Sequence, residues 1–191
     1  MLAHRARPLV LLAALVSLAA GCSTREKTPA SSIPPTAAPQ AQEIPDGELA
    51  RAAALLHERE AREAKLAEKR ATRPEVKQLA GMIVTDTEKS MEEQRKLLAR
   101  NKLTLRDGDL PRAVEKRVAG SFDGVDRARG EEFDRAYLDA QIRALEDALE
   151  VFDVTLLPSV ENPELWGLLG KMRGFEALHL AHAKELRQKL L

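Results

Sequence analysis

Apolar residues recur at intervals of three and four along four long stretches of this 191-residue chain, the spacing of one buried helix face. The first stretch runs from Asp46 to about Ala71. Leu49, Ala53, Leu56, Glu60, Ala64 and Ala67 share its inner face, and Asp46 is placed to cap its first turn. The second opens at Thr72-Arg73-Pro74-Glu75, a capping-box pattern with proline in the first turn, and ends near Asn101. Its stripe is Val76, Ala80, Ile83, Thr87, Met91, Gln94 and Leu98. The third runs from about Glu131 to Leu157, where Pro158 stops it, with Leu138, Ile142, Leu145, Leu149, Phe152 and Leu156 inward. The fourth opens at Asn162-Pro163, a cap followed by proline. Its stripe is Leu165, Leu168, Met172, Phe175, His179, Ala183, Leu186 and Leu190.

Residues 102–130 are less regular. Asp107-Gly108 marks a turn, and Leu110 to Phe122 predicts a short helix with Ala113, Val114 and Val118 inward before Gly130 breaks the chain. No stretch alternates with period two, so no strand is expected. The fold class is all-α: a four-helix bundle with a short extra helix between helices 2 and 3.

Composition supports this. Hydrophobic residues make up 44% of the chain and aromatics only 3%, so the core must be built from Ala, Leu, Val and Ile. A single cysteine excludes a disulfide within the chain. Lys plus Arg balance Asp plus Glu at 30 each, which leaves no basic field for nucleic acid.

The first 45 residues follow different rules. His4, Arg5 and Arg7 precede an apolar run from Leu9 to Ala20, too short for a membrane span of about 20 residues. The run closes in Leu18-Ala19-Ala20-Gly21-Cys22, which resembles the lipobox of bacterial lipoproteins, with Ala19 where Leu is commoner. That resemblance implies a signal peptide over residues 1–21 and an acylated Cys22. Residues 22–45 carry five prolines among Ser, Thr, Ala and Gln, and are expected to be a disordered tether. Such a tether spans roughly 25–30 Å. Residues 46–191 form the bundle domain. Ser23 follows the lipid site with no Asp, which by resemblance to the sorting rule of enteric lipoproteins implies the periplasmic face of the outer membrane. The expected partners are therefore membrane lipid, through Cys22, and envelope proteins.

Three stripes carry a polar residue at mid-height: Glu60, Thr87 and His179. Glu176 and His179 add a Glu-x-x-His spacing that puts both on one face. Glu60, Glu176 and His179 are the candidate metal ligands, with Glu63, Asp86 or Glu88 near enough in sequence to join them. One such motif is short of a complete ligand set, so the expectation is no bound cofactor and a Glu60–His179 hydrogen bond across helices. His57, off the main stripe, is expected in solvent, and His182 at the stripe's edge. Trp166 and Tyr137 are expected to pack the bundle, the alternative being a contact surface. The charge run Glu58 to Arg73 reads as a solvated face with i,i+4 pairs. No phosphate loop, nucleophile elbow or catalytic cysteine is present, so no enzyme activity is expected.

Several segments resemble one family. They are Glu60 with Leu66-Ala67; Arg73-Pro74-Glu75-Val76-Lys77-Gln78-Leu79-Ala80; Met82-Ile83-Val84-Thr85-Asp86; Gly130-Glu131-Glu132-Phe133-Asp134-Arg135-Ala136-Tyr137-Leu138; Gln141-Ile142; and His179-Leu180 with Ala183. Their order is similar to that of the ferritin-like "outer membrane protein" family, domain of unknown function 4142. The resemblance implies histidines at positions 87 and 145, where this chain has Thr87 and Leu145, and so implies a lost metal centre. The function expected is a lipid-anchored envelope role in binding, scaffolding or stress, the alternative being a metal-binding or redox bundle.

The anchor is testable. Cys22→Ala should leave the protein either uncleaved or released from membranes, because acyl chains hold by burying methylenes at about 0.8 kcal/mol each. Fractionation that finds the processed variant still on membranes would exclude the lipid anchor.

Overall fold

The computed structural model describes residues 43–190. The signal peptide, Cys22 and nearly all of the tether lie outside them. Helix α1 spans Asp46–Arg70, α2 Pro74–Asn101, α3 Asp109–Val118 and α4 Gly130–Val151. A π-helical turn, Phe152–Leu156, leads into α5, Leu157–Ser159, and α6 spans Pro163–Lys189. Among the described residues there is no strand, and no helix is long and apolar enough to cross a membrane.

Contacts between helix ends fix the topology. The Asp46 carboxylate at the start of α1 accepts the backbone N–H groups of Glu161 and Asn162, just before α6. At the far end the Arg70 guanidinium reaches the Ala128 carbonyl before α4. Hence α1 and α6 run up while α2 and α4 run down, and residues 102–129 form one long crossover from bottom to top. α3 and the turns after it lie along the outer side of α1, so α1 is buried on almost every side. Ala50, Ala52, Ala53, Ala54, Ala61, Ala64 and Ala67 supply the small surfaces that let neighbours approach it. Gly47 serves the same end: a Cβ there would collide with the Thr104 carbonyl, and the Gly47 carbonyl accepts Arg106 N–H at 3.0 Å.

Capping departs from expectation in two places. Asn162 caps α6 as predicted, accepting Glu164 and Leu165 N–H at 3.0 Å each. Asp46 instead sits inside the first turn and bonds across to the α6 junction. Thr72 and Glu75 form no capping box. Asp134 of α4, wholly buried, accepts Thr72 N–H at 2.9 Å, Thr72 Oγ1–H at 2.6 Å and Arg73 N–H at 2.9 Å. A carboxylate at the electropositive start of α2 does what a local cap would do, and joins two helices in doing it. Pro158 does not stop the third long helix. It lacks an N–H, and its ring crowds the carbonyl four residues back. The helix widens over Phe152–Leu156, with Leu157 N–H reaching the Phe152 carbonyl, and continues to Ser159. Ala113 of α3 faces solvent; Pro111 and Val114 are the buried residues.

The apolar core is divided. A lower cluster gathers Leu49, Leu56, Leu98, Phe152, Leu165 and Met172, and an upper one Ile83, Phe133, Tyr137, Leu138, Leu145 and Ala183. Trp166 joins neither and is 55% exposed, so it marks surface rather than core.

Removing the shared cap should cost about 2–4 kcal/mol, since Asp134→Ala leaves buried N–H groups without partners. Asp134→Asn should lie between. Urea unfolding reads both, and a loss below about 0.5 kcal/mol for Asp134→Ala would show that the interhelix cap is dispensable.

Candidate metal centre

Between the two apolar clusters lies a layer of buried polar side chains. α1 contributes His57 and Glu60, α2 Thr87, Ser90 and Gln94, α4 Gln141, and α6 Glu176 and His179. All four titratable members, His57, Glu60, Glu176 and His179, are 1% exposed or less. Spacings of three residues place His57 with Glu60 and Glu176 with His179, each pair on the inner face of its own helix.

The expected Glu60–His179 contact is present: His179 Nδ1 lies 3.0 Å from Glu60 Oε1. The other ring nitrogen, Nε2, lies 3.1 Å from Oδ2 of Asp86. Both His179 nitrogens are thereby committed to carboxylates, so His179 braces Glu60 instead of offering a lone pair to an ion. Gln141 Nε2 donates to the same Glu60 oxygen at 3.3 Å. Glu60 Oε2 is left without a partner in the protein.

His57 is the residue that sequence reasoning misplaced. It is buried, and its Nε2 lies 3.3 Å from Glu176 Oε1, near enough for an ion pair but not aligned for a hydrogen bond. Neither ring nitrogen has a hydrogen-bond partner, and neither has Glu176 Oε1. Ligand atoms of His57, Glu60 and Glu176 lie within 4.8 Å of one another. Two ligands about 2.1 Å from one ion stand no more than roughly 4.2 Å apart, so a movement under 1 Å closes the set. The unpartnered atoms and the donor types fit a divalent ion.

The other candidates fall elsewhere. Glu63 is buried one turn above Glu60 and stays out of this group. Glu88 pairs with Lys65 at the surface. Thr87 Oγ1 donates to the Ile83 carbonyl of its own helix at 2.7 Å. Leu145 packs in the upper cluster. His182 is half-buried at the edge of a groove of about 310 Å³ between α2 and α6. The charge run is not a solvated face throughout. Glu60 is buried on the inner face, Arg59 and Glu63 are buried because the crossover covers them, and Arg59 meets Glu63 at 3.7 Å. The signal for His57 was its spacing to Glu60, the same interval as Glu176 to His179 in reverse order.

Burial sets the electrostatics. It raises the Glu176 carboxyl to about 7, with the charge of Glu60 adding to the rise and His57 and His179 opposing it. Burial likewise raises Glu63 to about 7 against the pull of Arg59 and Arg62. For His179 burial acts downward, but the hydrogen bonds of Glu60 and Asp86 and the charges of Glu60 and Glu176 outweigh it and the ring is raised. Burial also pushes the Tyr137 phenol well above its ordinary value.

Fold and site together define a class: an all-helical bundle with a histidine–carboxylate layer across its middle. The chain belongs to the family described as "Domain of unknown function (DUF4142)", whose model matches residues 30–186. No curated protein matches it. Among solved structures it is similar to "CopM in the Cu(II)-bound form", with 20% identity, a TM-score of 0.60, and coverage of 76% of this chain and 97% of that one. At that identity the likeness is one of fold.

The raised groups predict a pH dependence for the metal-free protein. A carboxyl whose folded pKa exceeds its unfolded value binds more protons when folded, so its stabilisation is complete below 4.5 and lost as pH rises to about 7. His179, raised above 6.5, adds a loss of the same sign at higher pH. Asp153, with its carboxyl lowered by the Arg173 hydrogen bond, acts in a window below 3.8. With chelator present, the unfolding free energy should therefore fall from pH 5 to pH 7.5, by up to about 1.4 kcal/mol per pH unit for each group in its window, and the urea midpoint with it. Glu176→Gln should flatten that fall. A midpoint that rises across this range would contradict the assignment.

Proposed function

We propose that this chain binds one divalent transition-metal ion in the middle of its bundle, on His57, Glu60 and Glu176. It does so as a non-enzymatic protein of the cell envelope, held by an acyl group on Cys22 at the periplasmic face of the outer membrane. The observation that carries the metal reading is the set of buried donor atoms with no partner in the protein: both nitrogens of His57, Glu60 Oε2 and Glu176 Oε1. Leaving such atoms unpaired costs about 1–3 kcal/mol each, which a cation relieves at one nitrogen of His57 and at the two carboxylate oxygens. One imidazole and two carboxylates suit Cu(II) or Zn(II) better than a soft monovalent ion, which prefers sulfur. A protein of similar fold has been solved in a Cu(II)-bound form, which makes Cu(II) the first ion to test. The lipobox-like run ending at Cys22 supports the anchor, and Ser23 supports the outer membrane.

This reverses the order of the sequence-based readings. They set metal second because they counted a single histidine among the ligands, and His57 replaces it. His179 moves from ligand to the group behind Glu60.

Titration of the metal-free protein with Cu(II) and Zn(II), followed by calorimetry, should find one ion per chain. His57→Leu should abolish the binding, as should Glu176→Gln. His179→Leu, which removes only the hydrogen bond behind Glu60, should weaken it by about 10–100-fold. A wild-type protein that takes up neither ion, or one whose affinity survives His57→Leu, would return the layer to a proton-satisfied structural role.

A further inference from the structure

The three proposed ligands are 1% exposed, so an ion reaches them only through a seam between helices. A groove of about 930 Å³ runs along the outer side of α1 under the crossover, and Arg59, Glu63, Ser121 and Phe122 line it. Glu63 belongs both to this groove and to the helix face that carries Glu60. Its Oε2 has no hydrogen-bond partner in the protein. The same holds for Tyr137 Oη and Gln141 Oε1, which α4 presents from the buried side, with Gln141 bonded to Glu60. Unpartnered oxygens thus run from the groove, at Glu63, to the ligand Glu60.

We propose that Glu63 is the transfer carboxylate through which a divalent cation passes between this groove and the site on His57, Glu60 and Glu176, with residues 120–124 covering the passage. The proposal rests on the metal reading above.

Arg59 is the nearest cation to Glu63, yet its Nη1 is 3.7 Å away and donates instead to Ser121 Oγ at 2.8 Å. Glu63 is therefore only loosely neutralised, and a divalent ion competes with the guanidinium groups of Arg59 and Arg62, neither of them hydrogen-bonded to it. The cover is a short turn pivoted on two left-handed glycines, Gly120 at φ +80° and Gly124 at φ +90°. Between them, Ser121 is tied to Arg59, and the Phe122 ring meets Tyr137 edge-on at a centroid distance of 5.9 Å. Breaking the Arg59–Ser121 bond frees Arg59 to close on Glu63 without touching any ligand. A residue that acts only on the passage changes loading and release by the same factor and leaves affinity alone.

Rapid mixing of the metal-free full chain with Co(II), followed by its visible absorption, measures loading, and transfer of the ion to a chelator measures release. Glu63→Gln should slow both about tenfold, the scale of an electrostatic effect on association, and leave Kd within about threefold. Ser121→Ala, which frees Arg59 to pair with Glu63, should also slow both and leave Kd unchanged. Unchanged rates in Glu63→Gln with intact affinity would overturn the passage alone. A Kd that weakens in step with slower loading would overturn it by making Glu63 a ligand. A wild-type chain that takes up no Co(II) would overturn the passage and the metal reading together.

Discussion

Four titratable side chains buried at one level of the bundle constrain everything around them. His57, Glu60, Glu176 and His179 cannot sit in an apolar interior as free charges; each needs a proton, a partner or an ion. The helices meet that need unequally. Glu60 is gripped by His179 and Gln141, and His179 is gripped by Asp86. His57 and Glu176 have only each other, at a distance and angle that satisfy neither. One half of this polar layer is satisfied within the protein and the other half is not. Buried networks are stabilising only when every member is satisfied.

The apolar clusters above and below make this arrangement tolerable. With no disulfide possible and few aromatics, the fold depends on close packing of Ala and Leu, which requires helices near enough to exclude water. Cross-helix ties hold that spacing at the ends: Asp134 on the start of α2 and Asp46 on the start of α6. These ties set the helix register, and the register brings His57 of α1 level with Glu176 of α6.

The crossover gives α1 its unusual character. In a bundle with short connections the outer face of α1 would be solvated and its charges would cost nothing. Here α3 and the glycine-pivoted turn lie over that face, so Arg59 and Glu63 are drawn inside and a groove forms where the cover is incomplete. The connection that gives the helices their up-down-down-up order thereby also shapes a polar groove along the outer side of α1.

Local rules determined much of this protein. The period of apolar residues placed four long helices and α3 nearly at their observed ends, because a helix buries one stripe wherever it packs. Asn162-Pro163 fixed the start of α6 because that cap is made within the segment. Glu60 and His179 were legible as polar interruptions of core stripes, and Glu176 by its spacing to His179. Tertiary structure decided the rest. The start of α2 is capped by a residue 61 positions away, Asp134 to Arg73, which no local pattern contains. The widened turn at Phe152–Leu156 lets the chain pass Pro158, where local rules end a helix. His57, Arg59 and Glu63 lie on the polar side of α1 by sequence and inside by structure. A helix's own periodicity reports one buried face, and α1 is covered on the other by a segment whose path only the folded chain reveals. His57 is buried for a different reason: the register of α1 against α6 sets it beside Glu176, and register is a property of the packed helices rather than of either sequence segment.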